Sequence, residues 1–351
     1  MNKAHNLYIH VPFCMSKCKY CAFYSFACKN PDWQKYADDI CNELKFWSNK
    51  LGKIHVPTIF FGGGTPSLMP VQVFEQIINC VNQCFVVKED CEITLESNPG
   101  TLDKAKLSDF IQNGVNRLSV GVQSLKDEEL EFLGRKHDVK TAVDLLKDAV
   151  NLGLRVNADF IYGLPNQKVN DVVNLCKQIN ELGLNHVSMY ELTIEKNTPF
   201  GKMNLNMPNN EEMARMYNAI PEYLNLPRYE VSNYAKIGEE CRHNINIWQG
   251  DAYIGIGRGA AGRVYYHNSW FEQRGNGELF DKISHDTRAT EKILTGMRTV
   301  RGVFLGDDVK NKIDFDWVNK HKDLVEIDGD YSHTTAKGLL ILDDIMVDLI
   351  K

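Results

Sequence analysis

Residues 14–21, CMSKCKYC, carry three thiols at C-x3-C-x2-C spacing. Three thiols within eight residues are a set of soft metal ligands, so we expect a loop that curls them around a metal centre. The preceding run, residues 7–11, is apolar and β-prone, and Pro12 prevents it from continuing as a central strand. The sequence therefore predicts a buried strand that ends in a metal-binding loop.

The number of thiols leaves two interpretations of this loop. Thiolates suit zinc or iron–sulfur clusters, and both kinds of centre ordinarily take four protein ligands. In the first interpretation, Cys14, Cys18 and Cys21 hold a 4Fe–4S cluster and leave one iron open to a small molecule. In the second, the same thiols hold zinc, and His10 or Cys28 completes the site. The residue pattern favours the cluster.

Length, charge and cysteine content exclude several classes of protein. A chain of 351 residues suggests about two domains. Its 40 Lys and Arg against 46 Asp and Glu give a net charge of −6, which does not favour a nucleic-acid partner. No apolar run reaches the ~18 residues of a membrane span. We expect a soluble, cytoplasmic protein whose other cysteines are mostly buried free thiols.

Residues 7–191 alternate short apolar runs with amphipathic ones. The predicted strands are 7–11, 56–61, 91–96, 116–122, 154–162 and 185–191. The predicted helices lie near 32–50, 70–84, 103–113, 127–152 with a break near Gly134, and 169–182. Six βα repeats indicate an α/β fold with a parallel sheet, either doubly wound or an incomplete barrel.

Polar or glycine-rich groups follow five of these strands. They are the cysteine loop, GGGTP at 62–66, ESNPG at 96–100, QS at 123–124, and Asp159 with YGLP at 162–165. Functional groups of parallel α/β folds gather at the carboxyl ends of the strands. We therefore expect one active site at this edge of the sheet.

The pattern changes after residue 191. We expect a helix at 209–225 and extended chain at 229–234. The run GIGRGAAG at 255–262 contains G-x-G-x-x-G, but residues 263–267 continue as a strand, so we reject a dinucleotide site. Residues 241–248, CRHNINIW, are expected to be irregular, with His243 as a candidate haem-iron ligand.

The C-terminal region predicts a compact, mainly helical unit that resembles a winged helix. Its elements are helices at 290–299 and 313–321, a strand at 324–327 and a helix at 335–350. The acid-rich last helix argues against nucleic-acid binding. The predicted division is 1–230 for the α/β core with the cysteine loop, 231–287 for a glycine-rich extension with the HNxxxW motif, and 288–351 for the helical unit.

Seven motifs in order carry a family resemblance. They are YIHVPFCMSKCKYCAF (8–23), FFGGGTPS (60–67), LESNPGT (95–101), RLSVGVQS (117–124), LGRKHD (133–138), DFIYGLP (159–165) and CRHNINIW (241–248). Together they resemble the oxygen-independent coproporphyrinogen III dehydrogenase-like branch of the radical S-adenosylmethionine (SAM) superfamily. The resemblance implies a partial (β/α)6 barrel and a 4Fe–4S cluster whose open iron is chelated by SAM. By the same resemblance, the SAM contacts would be Tyr8, Gly62, Gly63, Thr65, Glu96, Gln123, Arg135 and Asp159, and some of these could serve a second SAM site.

Two features resemble the haem chaperones of this branch rather than its enzymes. The dehydrogenase carries a further cysteine at the position of Phe23 and a long segment before the cluster, whereas 13 residues precede Cys14 here. The chaperones carry an H-N-x-x-Y-W motif, which reads HNINIW at 243–248, with Ile247 in place of the tyrosine. The resemblance implies a chaperone that binds haem, with help from His243, and transfers it to an acceptor haemoprotein, soluble or membrane-associated. The alternative is a radical SAM enzyme that oxidatively decarboxylates coproporphyrinogen.

Overall fold

The computed structural model describes residues 3–274 and 279–351. Its strands are β1 (His5–Val11), β2 (Phe13–Cys14), β3 (Phe26–Ala27), β4 (His55–Gly63), β5 (Val86–Ser97), β6 (Arg117–Gln123), β7 (Arg155–Tyr162), β8 (His186–Glu191), β9 (Asn233–Ala235), β10 (Ala252–Ile256), β11 (Gly262–Tyr266), β12 (Ser269–Arg274), β13 (Leu279–Ile283), β14 (Val303–Phe304), β15 (Val325–Asp328) and β16 (Tyr331–Thr334). Its α-helices are α1 (Trp33–Leu51), α2 (Val71–Cys84), α3 (Lys104–Gln112), α4 (Asp127–Leu133), α5 (Val139–Asn151), α6 (Val169–Glu181), α7 (Asn210–Tyr223), α8 (Arg242–Trp248), α9 (His285–Gly296), α10 (Asp307–Lys310), α11 (Phe315–Lys320), α12 (Ala336–Leu340) and α13 (Leu342–Leu349).

One large sheet organises the molecule. Its strand order is β13-β12-β11-β10-β1-β4-β5-β6-β7-β8-β9. The six predicted strands, β1 and β4 to β8, are neighbours in chain order and all pair in parallel. A doubly wound sheet reverses its order at a switch point, whereas these six strands follow one another across the sheet without a reversal. The strand order therefore decides for the incomplete barrel.

Helices cover the outer face of the sheet. α1 buries Ile40, Leu44 and Trp47 along one stripe, as an amphipathic helix does when it packs on a sheet. Asp103 and Asp138 begin α3 and α5 by accepting backbone N–H groups of the first helical turn. α4 ends at Gly134 in a left-handed conformation, φ 80°, which confirms the predicted break in 127–152.

The sheet extends on both sides of the six predicted strands. β10, from the glycine-rich region, pairs in parallel with β1, and β11 to β13 follow as an antiparallel meander. Residues 262–266 form a strand, β11, in agreement with the rejection of a dinucleotide site. Residues 275–278 of the predicted extension lie outside the described residues. The proposed division into three units remains a prediction.

Two local predictions were wrong. Residues 242–248 form a helix, α8, rather than irregular chain, because its amino end is held by a buried carboxylate described below. The predicted helix at 335–350 is two helices, α12 and α13, which separate at Ile341. A second hydrophobic core lies in the C-terminal region. There, residues of α9, α10, α11 and α13 pack against the three-stranded sheet β14-β16-β15. Its likeness to a winged helix stays a prediction.

Among residues 3–274 and 279–351, no helix combines the length and apolar character that crossing a bilayer requires.

Candidate metal and cofactor site

The cysteine loop is fixed at both ends by backbone pairing. β2 lies parallel to β3, with the Phe26 amide donating to Pro12 O at 2.9 Å and the Cys28 amide donating to Cys14 O at 2.9 Å. Between these strands the Lys17 Nζ donates to the carbonyl oxygens of Phe23 and Ser25, at 2.7 and 2.8 Å. The loop is therefore closed at its base by the β2–β3 pair and held internally by Lys17, and in this conformation its three thiols line one cavity.

The loop and the strand ends enclose one cavity of about 420 Å³. Of the sequence-predicted site residues it brings together Cys14, Cys18, Cys21, Gly63, Glu96, Gln123, Arg135 and Asp159. Tyr8, Gly62 and Thr65 stand directly behind this wall, since Tyr8 and Glu96 flank Gly62 and Thr65 touches Cys14. These groups meet at the edge predicted from the strand ends, and their function as one active site stays a prediction.

The three thiols are free and differ in surroundings. Cys14 is buried, which raises the pKa of its thiol, and its Sγ accepts a hydrogen bond from Thr65 Oγ1 at 3.5 Å. Cys18 Sγ accepts from Arg135 Nη1 at 3.4 Å. N–H and O–H donors to sulfur are the contacts that tune iron–sulfur clusters.

The donor set fits a cluster better than a single ion. In residues 3–274 and 279–351, no three His, Cys, Asp or Glu side chains converge on one metal position. His10 is a suggested fourth zinc ligand, but both of its ring nitrogens are already hydrogen-bonded, Nδ1 to Tyr8 OH and Nε2 to Tyr24 O. Cys28, the other suggestion, lies on a different cavity from the three thiols. Three separated thiols around a shared space are what a cubane needs.

At two glycines near the thiols, one behind the cavity wall and one lining it, a side chain would collide with its surroundings. A Cβ at Gly62 would lie 2.9 Å from Phe60 Cε1 and from Tyr8 Cε2, and 3.1 Å from Glu96 Oε2. A Cβ at Gly64 would lie 2.6 Å from Phe13 O and 3.0 Å from Cys14 Sγ. The bare backbone at the end of β4 therefore forms part of the cavity wall.

Two carboxylates face the cavity from β5 and β7, the strands on either side of β6. Glu96 Oε2 accepts the Gly63 amide at 3.0 Å, and Asp159 accepts from Asn157 Nδ2 and Ser119 Oγ at 2.8 and 3.3 Å. Burial, together with the nearby charge of Asp159, raises the pKa of Glu96 to about 7. Burial also raises the pKa of Asp159. This pair of carboxylates favours a cationic ligand, whose positive charge would lower the raised pKa of each.

Arg135 also lines the cavity. Besides Cys18, its guanidinium donates to Gly121 O at 2.6 Å and to Asn98 Oδ1, while its Nε is buried without a partner. Gln123 stands beside it at the end of β6, with φ 74° at an irregularity in the β6–β7 register. Strained, non-glycine backbone of this kind is typical of functional positions. The cavity thus offers a guanidinium to an anionic group and two carboxylates to a cationic group.

Sequence reasoning missed part of the cavity. Tyr190, Glu191 and the segment to Glu195 also line it, at the carboxyl end of β8. The strand-end rule that found the other five groups would have found these as well, had it been applied to the sixth strand. Asn98 was present in a quoted motif, but only the folded chain shows that it bonds both Arg135 and Thr65 Oγ1.

His243 lies away from this cavity. Its side chain is 2 % exposed, stacks within 5.1 Å of Phe60, and shares a 2.7 Å hydrogen bond with Thr58 Oγ1 near the amino ends of the strands. Burial lowers the pKa of His243 to about 4, so the imidazole is neutral. Its role as a haem ligand remains a prediction, and it requires α8 to uncover the ring.

Comparison with known proteins identifies the superfamily to which this architecture belongs. Residues 8–179 match the model of the radical SAM superfamily. The structure superposes on a solved structure of coproporphyrinogen III oxidase (HemN) from Escherichia coli with a TM-score of 0.82 and 20 % identity, covering 99 % of this chain and 90 % of that one. Fold and site thus define a radical SAM protein.

Two curated relatives identify the family within this superfamily. The heme chaperone HemW of E. coli is 39 % identical over 74 % of this chain and 70 % of its own length, and that of Bacillus subtilis is 32 % identical over 73 % and 70 %. The chain belongs to the HemW family, within the coproporphyrinogen dehydrogenase-like branch of the radical SAM superfamily.

Proposed function

We propose that this protein is a haem chaperone that holds a 4Fe–4S cluster, binds SAM at that cluster, and delivers haem to an acceptor haemoprotein. The observation that carries the proposal is the set of three free thiols on one cavity, in a chain related to heme chaperones. Phe23, at the position of the dehydrogenase's further cysteine, is 70 % exposed and offers no metal ligand. We assign the protein to the cytoplasm, where reduced thiols and a cluster persist.

The residues around the cavity suit the proposed ligands. Cys14, Cys18 and Cys21 would hold the cluster, whose remaining iron would bind the amino and carboxylate groups of SAM. Arg135 would stabilise negative charge at the thiolates and at the SAM carboxylate. Glu96 would accept hydrogen bonds from the hydroxyl or amino N–H groups of SAM, and Asp159 adds to the negative potential around them.

The haem step is tested by titration of the anaerobically reconstituted protein with haem. We expect iron and acid-labile sulfide in equal amounts and a saturable Soret change at one haem per chain. Absence of stoichiometric haem binding would end the chaperone proposal. Anaerobic formation of protoporphyrinogen from coproporphyrinogen, at a rate within about a hundredfold (some 2.7 kcal/mol) of a genuine dehydrogenase, would overturn it in favour of the enzyme.

SAM affinity is expected to rise with pH. Glu96 has its pKa near 7 in the ligand-free protein, and its ionised form is the better acceptor, so SAM should bind about tenfold more tightly at about pH 8 than at about pH 6. Equilibrium binding of SAM to the reconstituted protein measures this. In Glu96→Gln the affinity should be lower, and the pH dependence should be weaker, with the remainder set by the amino group of SAM, which must lose its proton to bind iron. A pH dependence as steep as that of the wild type would show that Glu96 is not the group responsible.

Gly62→Ala is expected to weaken SAM binding by about tenfold or more, because the added methyl would push Tyr8, Phe60 or Glu96 out of place. The control is Gly153→Ala, just after α5, where a Cβ would meet nothing within 4 Å, although the φ of 80° at this position, unlike that at Gly62, disfavours a side chain. The control should lose some stability and keep its SAM affinity. Equal SAM affinity in both variants would contradict the placement of Gly62 behind the SAM site.

A further inference from the structure

A second cavity lies on the other side of the cysteine loop. This groove, between the loop and α1, measures about 1010 Å³, at the upper end of the ~300–1,000 Å³ range of small-molecule sites. The segment from Pro12 to Asp32 forms one wall, the exposed edge of α1 forms another, and Gly257–Arg258 closes one end. Neither the cluster nor SAM, as assigned above, occupies it.

Aromatic rings form much of the groove wall. Phe13 contacts Phe26 edge-to-face at 5.4 Å and Tyr36 at 5.8 Å. Phe26 and Phe46 are each 44 % exposed, although both lie in the groove. Large rings left open to solvent around a concave surface are typical of a binding site for a flat apolar ligand.

The groove also offers one soft iron ligand. Among the described residues that line it, Cys28 is the only cysteine, and no histidine or methionine lines it. Its thiol is free and partly exposed. Thiolate sulfur is an established axial ligand of haem iron.

Two polar side chains in the groove, Arg258 and Glu43, each lack an interaction that a ligand with a carboxylate would provide. Arg258 stacks over the Tyr24 ring at 5.8 Å and forms no ion pair within the described part of the chain. Glu43 Oε2 accepts the Gly257 amide at 2.8 Å, whereas its Oε1 is buried without a partner. Burial raises the pKa of Glu43 to about 7, so its protonated form can donate a hydrogen bond to a carboxylate.

We propose that this groove is the haem site, with the porphyrin against Phe26 and Phe46, Cys28 as an axial iron ligand, and Arg258 on a propionate. The inference rests on the proposed haem-chaperone function. It gives the haem a surface that is open in the folded chain, unlike the covered imidazole of His243. Among the groups that line the groove, the aromatic rings match a planar macrocycle, the Cys28 thiol matches its iron, and Arg258 matches one of its carboxylates.

The position of the groove links haem to the cluster. The Cys28 amide donates to Cys14 O, so one β2–β3 pair joins the proposed haem ligand to a cluster ligand. Haem binding at Cys28 would therefore affect the backbone that positions Cys14.

The test is an anaerobic haem titration of the reconstituted full chain, in a buffer free of added thiols, with Soret position and affinity as readouts. Cys28→Ala is expected to shift the Soret band and to weaken binding by about tenfold. Arg258→Glu, an exposed change, is expected to weaken binding several-fold, about 1 kcal/mol, without shifting the band. Phe26→Ala should also weaken binding, while its control Phe304→Ala, at an exposed phenylalanine of the C-terminal region, should not.

Two further variants separate the groove from other sites. Cys41→Ala removes a thiol of α1 outside the groove, and His243→Asn removes the predicted imidazole ligand; neither should move the Soret band. Iron and sulfide content must equal that of the wild type in each variant compared. Wild-type haem binding that is unchanged by Cys28→Ala, Phe26→Ala and Arg258→Glu would overturn the groove and leave the chaperone function standing. Failure of the wild type to bind haem would remove both.

Discussion

Cys18→Ser is expected to leave the reconstituted protein with near-background iron and acid-labile sulfide. Three thiolates are the whole protein contribution to the proposed cluster, so the loss of one leaves two irons without a protein ligand. A serine oxygen is a harder and poorer ligand for iron–sulfur clusters. The variant would also lose the sulfur that accepts a hydrogen bond from Arg135 Nη1. Iron and sulfide analysis after anaerobic reconstitution, with the visible absorption of the cluster, provides the measurement.

Cys41→Ala serves as the control for thiol loss. Cys41 is a buried free thiol of α1 that lies outside the cluster cavity, so its removal should leave iron and sulfide unchanged. Cys18→Ser with wild-type iron and sulfide would show that the cluster ligands are misassigned. Stoichiometric zinc without sulfide in the wild type would revive the zinc interpretation.

Glu92→Gln is expected to lower the free energy of unfolding by about 3–5 kcal/mol, because it removes one partner of a buried ion pair. Glu92 is 1 % exposed and accepts from Arg155 Nη1 at 2.8 Å. It also accepts the first amides of α8, from His243 at 2.9 Å and Arg242 at 3.1 Å. A neutral amide keeps the shape but loses the charge that these donors need. Urea denaturation at neutral pH measures the change, with Glu211→Gln as the control.

Glu211 is also ion-paired, to Arg215 at 3.5 Å, but its side chain is 79 % exposed, so its replacement should change stability by less than about 0.5 kcal/mol. Equal losses in the two variants would contradict the buried role of Glu92. Haem spectra of Glu92→Gln add a second readout. A change in the Soret band would indicate that freeing the amino end of α8 exposes His243 to haem.

The same carboxylate predicts how stability varies with pH. Burial disfavours its ionised form, but the Arg117 guanidinium, the His243 amide and the Arg155 guanidinium outweigh burial and hold the pKa of Glu92 below its ordinary value. A carboxyl whose pKa is lower in the folded state stabilises the fold above its unfolded pKa, and this contribution is lost as the pH falls through the folded value. The wild type should therefore lose stability on acidification below its ordinary carboxyl range, and Glu92→Gln should lose less.

The sequence by itself determined the six parallel strands, the cysteine loop and the edge at which the site forms. These follow from local rules. Apolar periodicity marks the elements, and parallel strands bring their carboxyl ends to one edge, so Glu96, Gln123 and Asp159 could be placed together without knowledge of the packing. The same rule applied to β8 would have added Tyr190 and Glu191.

Tertiary structure alone decided the rest. The choice of an incomplete barrel over a doubly wound sheet depends on which strands are neighbours, and so does the insertion of β10 beside β1. Residues 241–248 carry no strong helical pattern, yet α8 forms there because Glu92, some 150 positions earlier, satisfies its first amides. That contact also buries His243, which the motif alone suggested as an open ligand. Spacing along a chain reports local conformation, whereas the exposure of a side chain depends on which distant segments come to cover it.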